Sequence, residues 1–137
     1  DVTKLFSKKY ALNIDVKSFN YKKWKSLKFF RSKKTIVFTS YSIEQVSKLD
    51  KGFFYYLLAT FDELVVYHIE PVLFQIEGRK FPFDEYYNKH YNHNLFSILK
   101  ELQNENKIKI IKSVKSNFCF GTNITSKESA IIIWKKI

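Results

Sequence analysis

The chain has 137 residues, of which 45% are hydrophobic and 18% aromatic, so it has enough apolar surface to bury one core. This composition excludes a chain that is disordered along its whole length, because disordered chains are poor in aromatic residues. The longest uninterrupted apolar run, Phe53 to Ala59, is far shorter than the roughly 20 residues that span a bilayer. We therefore expect a single soluble domain with no membrane partner.

The formal net charge of +11 is unevenly distributed along the chain. Residues 1–34 carry eleven basic and two acidic side chains, a net charge of +9. Residues 35–106 have a net charge of −4, and residues 107–137 have a net charge of +6. An AT-rich genome raises the lysine content everywhere, whereas this charge is segregated. The pattern predicts a protein whose two ends bind a polyanion, with an acidic middle that folds or contacts a basic protein neighbour.

Residues 1–34 interleave lysines with aromatic side chains and have no regular period. We interpret them as a basic aromatic extension that precedes an α+β globular domain over residues 35–137. In the first half of this domain, β-branched runs predict strands and the Ser42–Gln45 capping box predicts a helix. The expected elements are a strand at 35–39, a helix at 42–49, a turn at 50–52, a buried helix at 53–61, and strands at 64–69 and 72–76.

The second half of the domain has a clearer helical pattern. Pro82 predicts a helix start, because proline is favoured in a first helical turn. Apolar residues from Leu95 to Leu102 follow i, i+3, i+4, i+7 spacing, which predicts an amphipathic helix that ends near Asn104. Strands are expected at 108–114, 118–120 and 130–134.

This order of helix, turn, helix, strand, basic turn and strand resembles a winged helix over residues 53–137. The resemblance implies a domain that docks on nucleic acid or on protein. Its second helix carries Lys100 and Glu101 but no arginine. Arginine is the residue that most often reads guanine edges, so we expect no sequence-specific DNA recognition by this helix.

The strongest candidate site is a nucleic-acid-binding surface in which lysines contact phosphates and aromatic rings stack on unpaired bases. Only Arg31 and Arg79 are arginines, and a lysine surface suits sequence-independent phosphate contact. The expected N-terminal contacts are Lys8, Lys9, Tyr10, Tyr21, Lys22, Lys23, Trp24, Lys25, Lys28, Arg31, Lys33 and Lys34. The alternative is that the aromatic residues belong to the core and the lysines form a solvated face.

A second basic group lies near the C-terminus. Its expected nucleic-acid contacts are Lys107, Lys109, Lys112 and Lys115, with Lys135 and Lys136 nearby. On a strand, Lys107 and Lys109 share the face opposite Ile108 and Ile110. The alternative is an ordinary strand edge that lysines keep soluble.

Metal and catalytic chemistry have little support in the sequence. His68, His90, His93 and Cys119 lack the paired spacing of a closed zinc site. The lone cysteine also excludes an internal disulfide and indicates a reducing, cytoplasmic compartment. We expect no cofactor, no metal and no catalytic residue.

One enzyme hypothesis remains open at this point. Glu70, Glu77 and Lys80 resemble the acidic residues and lysine of restriction-type nucleases, but one extra residue separates Glu77 from Lys80. In such a site the carboxylates hold the metal and the lysine assists the attacking water.

Four functions therefore remain as hypotheses. The first is a non-enzymatic protein bound to structured RNA or to a ribonucleoprotein particle such as the ribosome. The second is a protein-interaction subunit with a winged-helix-like docking domain. The third is a winged-helix DNA-binding regulator or replication initiator, and the last is the metal-dependent nuclease.

Overall fold

Four strands form one mixed sheet, with helices in the connections between them. The computed structural model describes residues 20–26, 33–82, 89–117 and 128–137. In chain order the elements are a 3₁₀ helix (Tyr21–Ser26), β1 (Lys34–Ser40), α1 (Lys51–Thr60), β2 (Glu63–Glu70), α2 (Leu73–Glu77), α3 (Leu95–Asn104), β3 (Ile108–Lys115) and β4 (Ala130–Lys136). The helix expected after Pro82 and the strand expected at 118–120 fall mainly or wholly outside the described residues.

The spatial order of the strands is β1-β2-β4-β3. β1 and β2 are parallel, so α1 serves as the crossover between them. The β2–β4 and β4–β3 pairs are antiparallel. This arrangement confirms the predicted α+β class. None of the helices in these described ranges is long and apolar enough to cross a membrane.

The core lies between one face of the sheet and the helices. We call this sheet face the inner face, and the opposite one the outer face. Trp134 is the largest fully buried side chain in this core, and its ring centroid lies 6.2 Å from that of Phe54 on α1. The predicted apolar stripe of α3 is buried against the same core: Leu95, Ile98, Leu99 and Leu102. Aromatic side chains thus supply much of the core volume, as the composition indicates.

The predicted turn at 50–52 is wrong, because these residues open a helix. Asp50 is the N-cap of α1, and its carboxylate accepts a hydrogen bond from the Gly52 amide at 2.8 Å. An aspartate side chain in this position satisfies one of the amides that have no partner within a helix. The predicted helix at 53–61 is confirmed, with its start moved to Lys51.

The predicted helix at 42–49 is also wrong. Residues 42–49 form bends and a turn. One turn bond joins the Val46 amide to the Ile43 carbonyl, and several other backbone groups bond to side chains distant in the sequence. The side-chain Nδ2 of Asn92 donates to the Val46 carbonyl at 2.8 Å, and the side-chain Oδ1 of Asn94 accepts from the Leu49 backbone amide at 2.9 Å. The Ser42 amide donates to Glu70. These long-range bonds replace the helical ones that the capping box predicts.

The predicted strand at 72–76 is wrong as well, because Leu73–Glu77 is helical. Leu73 and Phe74 are buried side by side, and Gly78 ends the helix in the left-handed region at φ 64°. Glycine adopts this conformation at no steric cost. A run of five apolar-rich residues does not distinguish a strand from a short buried helix.

Candidate nucleic-acid interface

On the outer face of the sheet, apolar and aromatic side chains lie mainly on β1 and β2, whereas the lysine column lies on β3 and β4. Residues that pair across neighbouring strands share a face, so the strand registers define its rows. One row runs Ile36, Val65, Lys135, Lys109 across the four strands, and the next runs Phe38, Tyr67, Ile133, Lys112. The inner face holds the alternate residues, including Thr39, His68 and Ile132.

Two exposed aromatic residues are paired across neighbouring strands on this outer face. Phe38 of β1 and Tyr67 of β2 are register partners. Phe38 is 60% exposed and Tyr67 is 36% exposed. Ile36, the neighbour of Phe38 on the same face, is 72% exposed. Large apolar side chains with this exposure, grouped on one face, are typical of interaction surfaces.

A column of lysines completes the outer face. Lys109 and Lys135 are register partners on β3 and β4, and Lys112 lies on the same face of β3. Within the described ranges, none of these three lysines is paired with a carboxylate. Two lysines directly opposite each other repel. The arrangement therefore favours an anionic partner that relieves this repulsion.

Acidic side chains are nearly absent from the outer face of the four strands. The only acidic residues in the four strands are Glu63 and Glu70. Glu70 is fully buried on the inner face, whereas Glu63 lies in an exposed ion pair with Lys34 at 3.7 Å. Exposed pairs of this kind contribute little to stability. The outer face therefore carries a net positive charge.

The structure gives two of the predicted N-terminal stacking residues contacts with the domain. Tyr21 and Trp24 lie at the edge of the Phe53 ring, with ring centroids 5.7 and 6.5 Å apart. The Trp24 indole donates to Asp50 at 3.0 Å, and Tyr21 bonds with Ser42. Both rings are only partly exposed, so they hold the 3₁₀ helix on α1.

The predicted lysines are divided among different surfaces. Lys22, Lys23 and Lys25 are exposed on the 3₁₀ helix, and Lys33 and Lys34 lie at the start of β1. Lys107 precedes β3, while Lys115 ends it opposite Ala130 on the inner-face register. Lys136 donates to the Leu58 and Phe61 carbonyls at the end of α1. The predicted contacts Lys8, Lys9, Tyr10, Lys28 and Arg31 lie outside the described residues.

A chain of buried polar groups crosses the inner face of the sheet. The Trp134 indole donates to His68 Nε2 at 2.9 Å, so the histidine proton lies on Nδ1. Nδ1 in turn donates to the Thr39 hydroxyl at 2.8 Å. Burial lowers the pKa of His68 to about 3, which keeps the imidazole neutral. This histidine is a structural core residue with both ring nitrogens engaged.

Glu70 continues the polar chain at the carboxyl end of β2. Its carboxyl group accepts from the Ser42 amide at 3.1 Å and from the Glu44 amide at 3.4 Å, and Thr39 also bonds to it. Burial raises the pKa of Glu70 against these hydrogen bonds. Its role is to hold the irregular segment 42–49 against the sheet.

Glu44 is the least satisfied acidic group in the described part of the chain. Its Oε2 atom is buried without a hydrogen-bond partner. Burial, and then the nearby Glu70, raise the pKa of Glu44 to about 7. Its protonated form is therefore favoured by folding.

We predict that Glu44→Gln increases stability at alkaline pH more than at acidic pH. The folded pKa lies above the ordinary value of 4.5, so the contribution of Glu44 is fully present below 4.5 and is lost as the pH rises through about 7. Urea unfolding at pH 5 and pH 8 measures the effect, with Glu63→Gln as a control for loss of one exposed negative charge. A stability difference between Glu44→Gln and the unchanged chain that is equal at both pH values would contradict this prediction.

The residues proposed for metal chemistry are not brought together. No group of three potential metal ligands occurs within the described ranges. Glu77 lies at the end of α2 and pairs with Arg79, whereas Glu70 faces the core. The element between them is a helix, so the strand on which the nuclease pattern depends is absent.

The aromatic part of the outer face was not predicted. Both strands have apolar or aromatic side chains at successive positions, Ile36–Phe38 in β1 and Leu64–Tyr67 in β2, a pattern typical of strands covered on both faces. The absence of alternation is the signal that the outer face is apolar as well. No family model matches the chain, and no curated protein or solved structure is similar enough to be matched to it.

Proposed function

We propose that the protein is a non-enzymatic RNA-binding protein that works on structured RNA or within a ribonucleoprotein particle such as the ribosome. The outer face of the sheet is the observation that carries this proposal. It combines exposed Phe38 and Tyr67 with the lysine column Lys109, Lys112 and Lys135. Lysines that neutralise phosphates supply sequence-independent affinity by releasing counterions.

The side chains on this face favour RNA over a specific DNA sequence. The four strands contain no arginine, and arginine is the commonest reader of guanine in the DNA major groove. RNA-binding proteins instead use exposed aromatic rings on sheets to stack on unpaired bases. Lys33 and Lys34 add positive charge at the start of β1.

A protein-interaction subunit is the second candidate. The outer face also exposes Ile36 and partly exposes Ile131 and Ile133, and an apolar surface of this kind suits a protein partner. The more detailed winged-helix interpretation, with α3 docked on a partner, belongs to this candidate and to the DNA-binding regulator. The exposed side of α3 includes Glu101, which pairs with Lys51, so this helix is less suited to a polyanion than the outer face is.

Sedimentation of the full chain with cell lysate, with and without RNase, tests the proposal. We expect the protein to migrate with large particles and to move to the top of the gradient after RNase treatment. DNase treatment of a matched sample is the control. A light peak in untreated lysate, or a heavy peak that survives RNase, would contradict RNA binding.

A further inference from the structure

We propose that the outer face binds two neighbouring unpaired nucleotides, with one base stacked on Phe38 and the other on Tyr67. This inference rests on the proposed function and names the form of RNA that the face recognises. It assigns the affinity of the face to base stacking as well as to phosphate contact.

The two rings have the placement that stacking requires. They are register partners on adjacent parallel strands, so their Cα atoms lie about 5 Å apart. Side chains stand roughly perpendicular to a sheet, which directs both rings away from the core. Every base has a π-face, so two adjacent rings accept two successive bases without regard to sequence.

The lysine column lies at a distance that suits the backbone of the same nucleotides. Lys112 is in the row of Tyr67, separated from it by Ile133. Two strand spacings place their Cα atoms about 10 Å apart. Lysine is long and flexible, so its ammonium group reaches back over Ile133 toward a phosphate. Lys109 and Lys135 extend the positive charge along the next row.

This combination of rings and lysines disfavours a duplex as the ligand. In a duplex the bases stack on each other, and their faces are not accessible to a side chain. The A-form major groove is too deep and narrow for side chains to read. A sheet with two protruding rings therefore matches a loop, bulge or single-stranded end. An exclusively phosphate-contacting surface needs no exposed phenylalanine.

Binding of fluorescent oligouridylate and of a blunt RNA duplex to the full chain tests the inference. We expect Phe38→Leu and Tyr67→Leu each to weaken oligouridylate binding by roughly 5- to 100-fold. Duplex binding, which depends on the lysines, should change less than about twofold. Tyr67→Phe keeps the aromatic ring, so this variant should bind oligouridylate about as tightly as the unchanged chain does. Tyr55→Leu, which removes an exposed tyrosine on α1, is the matched control and should have no effect.

The outcomes separate this inference from the proposed function. If the unchanged chain binds both RNAs and neither leucine variant differs from it, the stacking inference is wrong and RNA binding stands. Equal losses for oligouridylate and duplex would also overturn stacking. If the unchanged chain binds neither RNA, the proposed function itself is wrong. Ring-proton NMR shifts of the unchanged chain on adding oligouridylate test the same contacts without substitution, and shifts absent at saturation would overturn the inference.

Discussion

Glu70→Ala is expected to lower the free energy of unfolding by about 3–5 kcal/mol. Glu70 is fully buried, and its carboxyl group accepts from the Ser42 and Glu44 amides. Alanine leaves these donors without an acceptor, at about 1–3 kcal/mol each, and creates a cavity. Because small domains are stable by about 5–15 kcal/mol, this one substitution removes a large share of the total.

Urea unfolding measures this effect, and the same strand provides a control. Glu63→Ala removes an exposed carboxylate whose only described ion pair is with Lys34, and it should cost less than about 1 kcal/mol. Glu70→Gln keeps one acceptor oxygen and should fall between the two variants. If Glu70→Ala and Glu63→Ala had the same unfolding midpoint at equal m-value, the structural role assigned to Glu70 would be wrong.

The sequence predicts the regular elements that have strong local signals. The helix at 95–104 matches its predicted range because its four apolar residues recur at helical spacing. The strands at 35–39, 64–69, 108–114 and 130–134 are each extended by one or two residues in the structure. These elements are confirmed because local pattern and tertiary packing agree.

The segments that were predicted wrongly depend on contacts distant in sequence. Residues 42–49 have a capping box, yet Asn92 and Asn94 hold this segment in an irregular conformation from 45 or more residues away. No local pattern shows that Ser42 bonds to Glu70. The 72–76 segment is five residues of ambiguous apolar character. Tertiary structure overrides propensity at both places.

The candidate site was only partly predictable for a topological reason. Lys109 and Lys112 stand out as lysines interleaved with apolar residues in a predicted strand. Phe38 and Tyr67 join them only because β1 pairs with β2 in parallel and β4 lies between β2 and β3. Strand order cannot be read from one sequence, so the aromatic half of the surface becomes evident only in the folded sheet.

The largest effect on binding is expected when the lysine column is reversed in charge. Lys109→Glu, Lys112→Glu and Lys135→Glu together should weaken RNA binding on the order of 100-fold at moderate salt, because three phosphate contacts become repulsive. Lys48→Glu, Lys80→Glu and Lys100→Glu form the matched control. These residues are exposed and lie outside the strands, and the two triple variants have the same net charge.

Titration of oligouridylate against the unchanged chain and both triple variants, over a series of salt concentrations, tests the central claim most directly. If the outer face binds RNA, the column variant should lose affinity and its logarithmic salt slope should fall by about two, as expected for three lost contacts to a single strand. The control variant should keep most of the slope. Equal losses in the two variants would mean that net charge alone attracts RNA, and would contradict a binding site on the outer face.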